Sequence, residues 1–256
     1  MADDTLSGIR WPRFLVEGAV IVVSILLAFF LEGWGAEREF QRDVTLELEN
    51  VLVELKRNEE ITRAEFEAVE RTIVAIDTVI ARLVAEPDAP YVAVRDSTAF
   101  LATYWAPTYD PSMGAIDALI GSGHLAQIDD NRLRLGLTGL RDLFRDATEE
   151  SRIVLQMNIE TLYPLVAESP DGPLLRAITG EILSVRQDAG RSPQEQVAES
   201  RMPTYRDVSL PNSRAMVGAL SIKAGWYESA LAEFRPLQSQ IRELIDALEI
   251  ELASRR

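Results

Sequence analysis

An apolar run near the amino terminus passes without a helix breaker into about fifty further residues of helical pattern, and this feature constrains the fold most. Gly18 to Leu31 contains Ser24 as its one polar side chain, and Phe14, Leu15 and Val16 extend the run to 18 residues interrupted only by Glu17. A bilayer-spanning helix needs about 20 such residues. Trp11 and Trp34 lie about 34 Å apart at the α-helical rise, which places an indole at each membrane–water interface, where that ring is favoured. Pro12 sits in a first-turn position that tolerates it. A cleaved secretion signal fits less well, because Glu32 and Trp34 crowd the small residues Gly33 and Gly35 and the helical pattern continues past them. Residues 14–34 are therefore expected to form an uncleaved transmembrane helix behind a short tail, residues 1–13.

Orientation rests on basic residues. Arg10 and Arg13 flank one side of the span and Arg38 and Arg42 the other, and acidic neighbours count little. The orientation taken is a cytoplasmic amino terminus, with about 220 residues on the far side of the membrane. The chain has 26 basic and 41 acidic residues, and its formal charge of −15 disfavours nucleic acid as a partner, since phosphate binding needs a positive face. The absence of cysteine removes disulfides, thiolate metal sites and cysteine nucleophiles.

Beyond the span the pattern predicts an all-α fold. Ala36 to Glu86 contains no Gly or Pro. Val44, Leu48, Val51 and Leu55 form one apolar stripe, and Val69, Ile73, Ile76, Ile80 and Leu83 a second, with a phase slip expected in the polar stretch Asn58 to Arg63. Joined to the anchor, this stalk helix, residues 36–86, extends about 110 Å before Pro87 and Pro90 end it. Residues 87–256 are expected to complete an antiparallel bundle of three long helices plus short ones. Short helices are expected over Ser97 to Tyr104 and after Asp110 as N-cap with Pro111 at the first position, the latter stopped by Gly121 and Gly123. Asp129 or Asp130 caps a long helix carrying Leu133, Leu137, Leu140, Phe144, Ala147, Ser151 and Val154, which Pro164 kinks or ends. Residues 187–212, with Gly190, Pro193, Pro203 and Pro211, read as a long loop or flap. Asn212 or Ser213 opens the last helix, which runs through Leu237, Ile241, Leu244, Leu248 and Leu252 and is bent at Pro236. No strand is expected.

Two blocks carry a resemblance. Glu17 to Trp34 followed by a charged helix, and Ala118 to Leu125 with Ile128 to Leu133, resemble a widespread, functionally uncharacterised bacterial family with one amino-terminal membrane helix and an α-helical extracytoplasmic domain. The resemblance implies architecture and localisation and transfers no catalytic residue. The commonest family pattern ends the membrane helix in asparagines, whereas this chain has Glu32-Gly33-Trp34-Gly35.

Candidate chemistry is sparse. His124, the single histidine, lies between a glycine stop and an N-cap. It can act as a base or ligand with Asp129 or Asp130, but without a second imidazole or thiolate it reads better as a polar turn residue. Gly121-Ser122-Gly123 lacks the strand-to-helix frame of a nucleophile elbow. The pairs Glu59-Glu60 and Glu149-Glu150 read as solvated faces. Tyr104, Trp105 and Tyr109, with Trp226 and Tyr227 on the last helix and His124 nearby, either fill an irregular helix junction or line a pocket, and packing is the favoured reading. Glu17, Ser24 and Ala28 share one face of the membrane helix, suited to close helix association; alternatively Glu17 pairs with Arg13.

These readings point to a noncatalytic, single-pass membrane module that assembles with itself or with another membrane protein. No cofactor or metal is implied. Two alternatives remain, an extracytoplasmic sensor bundle signalling through a partner and an accessory subunit of a transporter or proton-driven complex using Glu17.

Overall fold

The computed structural model describes residues 11–106, 108–172 and 207–255. Helix α1 (Trp11–Ala85) is unbroken over 75 residues, about 110 Å at 1.5 Å per residue, as the lack of Gly and Pro beyond Ala36 requires. Residues 17–39 of this helix are all exposed. The large apolar side chains from Val20 to Leu31 are exposed, from 49% at Ile25 to 69% at Phe30, in a segment whose mean hydropathy reaches 2.1. This is a helix long and apolar enough to cross a membrane.

From Val44 onward the same helix becomes one wall of a bundle. Val44, Leu48, Val51, Leu55, Asn58, Thr62, Glu65, Val69, Thr72, Ile76, Val79 and Leu83 are buried in an uninterrupted alternation of four and three, with Glu54, Ala68 and Ala75 buried beside that stripe. The expected phase slip at Asn58 to Arg63 is absent. Polar residues occupy heptad core positions there because partners within the bundle satisfy them, and Thr72 and Val79, rather than Ile73 and Ile80, face the centre.

Helix α6 (Arg214–Ser254) runs antiparallel to α1, as Asn212 Nδ2 donating to Leu83 O at one end and the Lys56–Glu249 ion pair nearer the other establish. Helix α4 (Asn131–Met157) packs antiparallel to α6; Gly136 lies so close to α6 that an added Cβ would fall 2.5 Å from Leu244 Cδ2. The fourth side is built from short pieces, α2 (Asp96–Thr103), α3 (Gly114–Gly121) and a 3-10 turn (His124–Gln127). The core runs the length of this assembly and includes Leu48, Phe144, Tyr227 and Phe234.

Caps set the register of the long helices. Asp130 accepts the N–H groups of Arg132 and Leu133 at the start of α4, and Ser213 accepts that of Met216 at the start of α6. Asp110 does not cap α3, which begins at Gly114 behind Met113; Asn58 holds the Ser112 backbone in a non-helical segment. Gly123, at φ 79°, adopts the left-handed conformation that closes the end of α3. Pro164 does not end the helix. A π turn (Asn158–Leu162) widens the backbone ahead of it, with Tyr163 N–H bonded to Asn158 O, and α5 (Tyr163–Ala167) continues. Pro236 lies inside α6 on its exposed side, where the carbonyl of Ala232 that loses its partner also faces solvent.

The absence of strands was a wrong expectation. β1 (Tyr91–Arg95) pairs antiparallel with β2 (Asp207–Pro211), Val92 opposite Leu210 and Val94 opposite Val208. An isolated two-stranded ribbon is marginal, but this one is held because those four side chains are buried on the bundle. Its β2 strand replaces part of the loop expected over 187–212; residues 187–206 lie outside the described residues.

Candidate functional site

The described part of the segment between α2 and α3 has no regular structure, so its inward-facing backbone groups need partners from neighbouring side chains. Lys223 on α6 is fully buried, and its Nζ donates to Ala102 O and Trp105 O, each at 2.9 Å. Tyr227 Oη donates to Trp105 O at 3.0 Å, and Asn158 Nδ2 donates to Tyr104 O and Trp105 O at 3.1 and 3.2 Å. Burial lowers the Lys223 ammonium well below the usual lysine range. It raises the Tyr227 phenol, with the negative charge of Glu65 adding to the effect. Further along, Thr62 Oγ1 and Tyr109 Oη share a hydrogen bond of 2.8 Å, while Asn58 exchanges two bonds with Ser112.

The aromatic residues picked from the sequence divide between two places. Tyr104 stacks on Tyr163 at 4.6 Å, Trp105 packs against Tyr227 at 6.3 Å, and Tyr109 meets Phe234 and Phe144 edge-on. These four therefore belong to a filled polar and aromatic seam. Trp226 points away from it. His124 is at the opposite end of the bundle, its Nδ1 3.0 Å from Glu47 Oε2 and its ring edge-on to Phe40 at 5.0 Å. Glu47 also accepts Ser122 Oγ, so the histidine pins a turn to α1, while Asp130 caps α4. Among the described residues no group of three or more His, Asp or Glu side chains is placed to hold a metal ion.

Trp226 lines an open trough of about 480 Å³ on the outer seam between α4 and α6, with Met157, Thr161, Ala215, Gly218 and Ile222. Ile222 is 59% exposed. Met157 and Trp226 each lie seven residues, two turns, from a glutamate on the same helix face, Glu150 and Glu233. The carboxyl of Glu233 is pushed up to about 7 by burial, by its hydrogen bond with Glu150 and by the charges of Glu150, Asp146 and Glu149. Glu150 is thus not the solvated face expected of it, and Glu59 is engaged with Arg242 at 2.6 Å. The trough itself is lined by apolar and small side chains, and the acidic pair lies two turns beyond it along the same seam.

On the membrane-length segment, Glu17, Ser24 and Ala28 are exposed along one face. The Ser24 hydroxyl donates to Val20 O at 2.8 Å within its own helix. The Arg38 guanidinium lies 4.5 Å over the Trp34 ring. Trp11 is the first residue of α1.

Sequence reasoning missed Lys223, Asn58, Thr62 and Asn158. The heptad runs on through the first three, but whether a polar residue there is interior depends on the opposing segment offering carbonyls or hydroxyls, which the local pattern does not show. No protein-family model, curated protein or solved structure matches the chain.

Proposed function

We propose that the chain is a noncatalytic, single-pass helical module of a bacterial inner membrane, amino terminus cytoplasmic and bundle outside, that works by assembling with itself or binding a partner protein. The observation that carries this reading is the continuity of α1. One helix holds an apolar segment with no packing partner and, ten residues past Trp34, supplies the first fully buried residue of the bundle, Val44. Such a segment is stable only where lipid or another helix covers it. The pairing of Trp34 with Arg38 supports an interfacial position for that ring. The Glu17, Ser24 and Ala28 face is the proposed contact between membrane helices, where small residues allow close approach.

Alkaline carbonate extraction tests the anchor. The full-length chain is expected in the membrane pellet, and release of a shortened species beginning near Ala36 refutes it. Ser24→Leu with Ala28→Leu is expected to weaken any oligomer seen in mild detergent, while Val22→Leu leaves it unchanged.

A further inference from the structure

We propose that the trough between α4 and α6 receives one amphipathic helix of a partner protein, apolar along one face and basic at the end that lies over Glu150 and Glu233. The inference rests on the reading of the chain as a binding module and names the surface and the chemistry of its partner.

The floor of the trough is apolar and open. Ile222 and Trp226 stand out from α6, and at Gly218 an added Cβ would meet nothing within 4 Å, so a helix can approach the backbone there. From Ala215 to Glu233 the seam is about 27 Å long, the length of a helix of about 18 residues. A fourth long helix laid in this seam extends the antiparallel packing that α4 and α6 already make.

Position and charge narrow the occupant. Asn212, just before α6, bonds to Leu83 O at the far end of α1, which puts the trough about 60 Å along the bundle from Trp34, beyond the reach of lipid. Two turns beyond the apolar floor, on the same helix faces, Glu150 and Glu233 meet, with Asp146 and Glu149 around them. A second copy seated on the same surface would add a like cluster in a chain already at −15. Lysine or arginine at that end of an incoming helix instead offsets the like-charge repulsion, while leucine or a similar side chain fills the space beside Ile222 and Trp226.

The test uses the full chain in phosphatidylcholine nanodiscs, whose neutral lipid does not itself attract cationic peptides. The probe is a fluorescein-labelled 18-residue peptide with leucines on one helical face and lysines in one terminal turn, followed by anisotropy at physiological ionic strength. Saturable binding is expected, weakened about tenfold by Ile222→Asp on the exposed floor, by Glu150→Gln combined with Glu233→Gln, and by scrambling the peptide to destroy its apolar face. Circular dichroism confirms that Ile222→Asp stays folded, and Gly218→Trp, which fills the trough with an apolar group, must weaken binding as well. Equal affinity for the scrambled peptide, or indifference to Ile222→Asp, overturns the proposal. So does a concentration-dependent dimer that Ile222→Asp abolishes, which assigns the surface to a second copy. Affinity that rises tenfold when residues 173–206 are replaced by a Gly/Ser linker overturns it in favour of that segment. Membrane retention in carbonate is unaffected by these outcomes and reports separately on the anchor.

Discussion

Replacing Glu233 with glutamine isolates the effect of the carboxyl pair on stability. The Glu233 carboxyl rises from 4.5 to about 7 in the folded chain, through burial, its bond with Glu150 and the surrounding acids. A group whose folded affinity for protons exceeds its unfolded affinity contributes stability that is fully present below 4.5 and is lost as pH rises through about 7. Taken at full value the change corresponds to about 3 kcal/mol at 1.36 kcal/mol per tenfold in proton affinity. The carboxyl is partly open to solvent, and screening reduces this to about 1 kcal/mol. Glutamine keeps a donor toward Glu150 and carries no charge. At pH 4 the variant and the parent are expected to melt together, and at pH 8 the variant is expected to melt about 2–4 °C higher. Circular dichroism of both chains in nanodiscs from pH 4 to 8 measures the difference, which cancels the titration of groups not in contact with Glu233. A difference that does not change with pH, or a variant that melts lower at pH 8, refutes the reasoning.

Asn58→Leu is expected to destabilise the bundle by about 2 kcal/mol, because it strips both partners from the Ser112 backbone; urea unfolding measures it, and a neutral result contradicts the role assigned to that pair. Gly136→Val places a branched side chain where a Cβ already meets Leu244 at 2.5 Å, and a loss of about 1–3 kcal/mol in the same assay is expected, against the small gain in helix propensity. Lys223→Ala leaves a cavity and removes both bonds from its Nζ, and is expected to cost about 3–5 kcal/mol. Lys223→Met, which keeps the volume and removes only the buried amine, should be the milder change, and the opposite order would argue against a mainly space-filling role.

Much of the fold is legible in local pattern. The breaker-free stretch after Gly35, the Asp130 and Ser213 caps and the glycines at 121 and 123 each act through neighbours within a turn or two, so spacing alone reveals them. The ribbon was hidden because its strands are five residues long and lie more than 110 positions apart, and neither is stable without the other. The candidate site was legible only in part. Tyr104, Trp105, Tyr109 and Tyr227 were recognised as a group from their residue type, but Lys223, which bonds to Trp105 O and lies against Tyr227, was not, since a lysine in a helix usually faces water. Trp226 follows Lys223 and precedes Tyr227 in the same helix yet faces the other way, a division set by helical phase relative to α4.

The sequence by itself determines that this chain is helical, where its long helices start and stop, and that one of them carries an unpartnered apolar segment of membrane length. Helix formation, capping and hydrophobic length depend on residues near in sequence. Tertiary structure decides that Asn58, Thr62 and Lys223 are interior, that Glu150 meets Glu233, and that an apolar trough opens between α4 and α6. A polar side chain can be buried only where distant carbonyls or hydroxyls complete its hydrogen bonds, and two carboxyls perturb each other only when separate helices bring them together. Those distances are properties of the packed bundle, to which no short stretch of sequence responds.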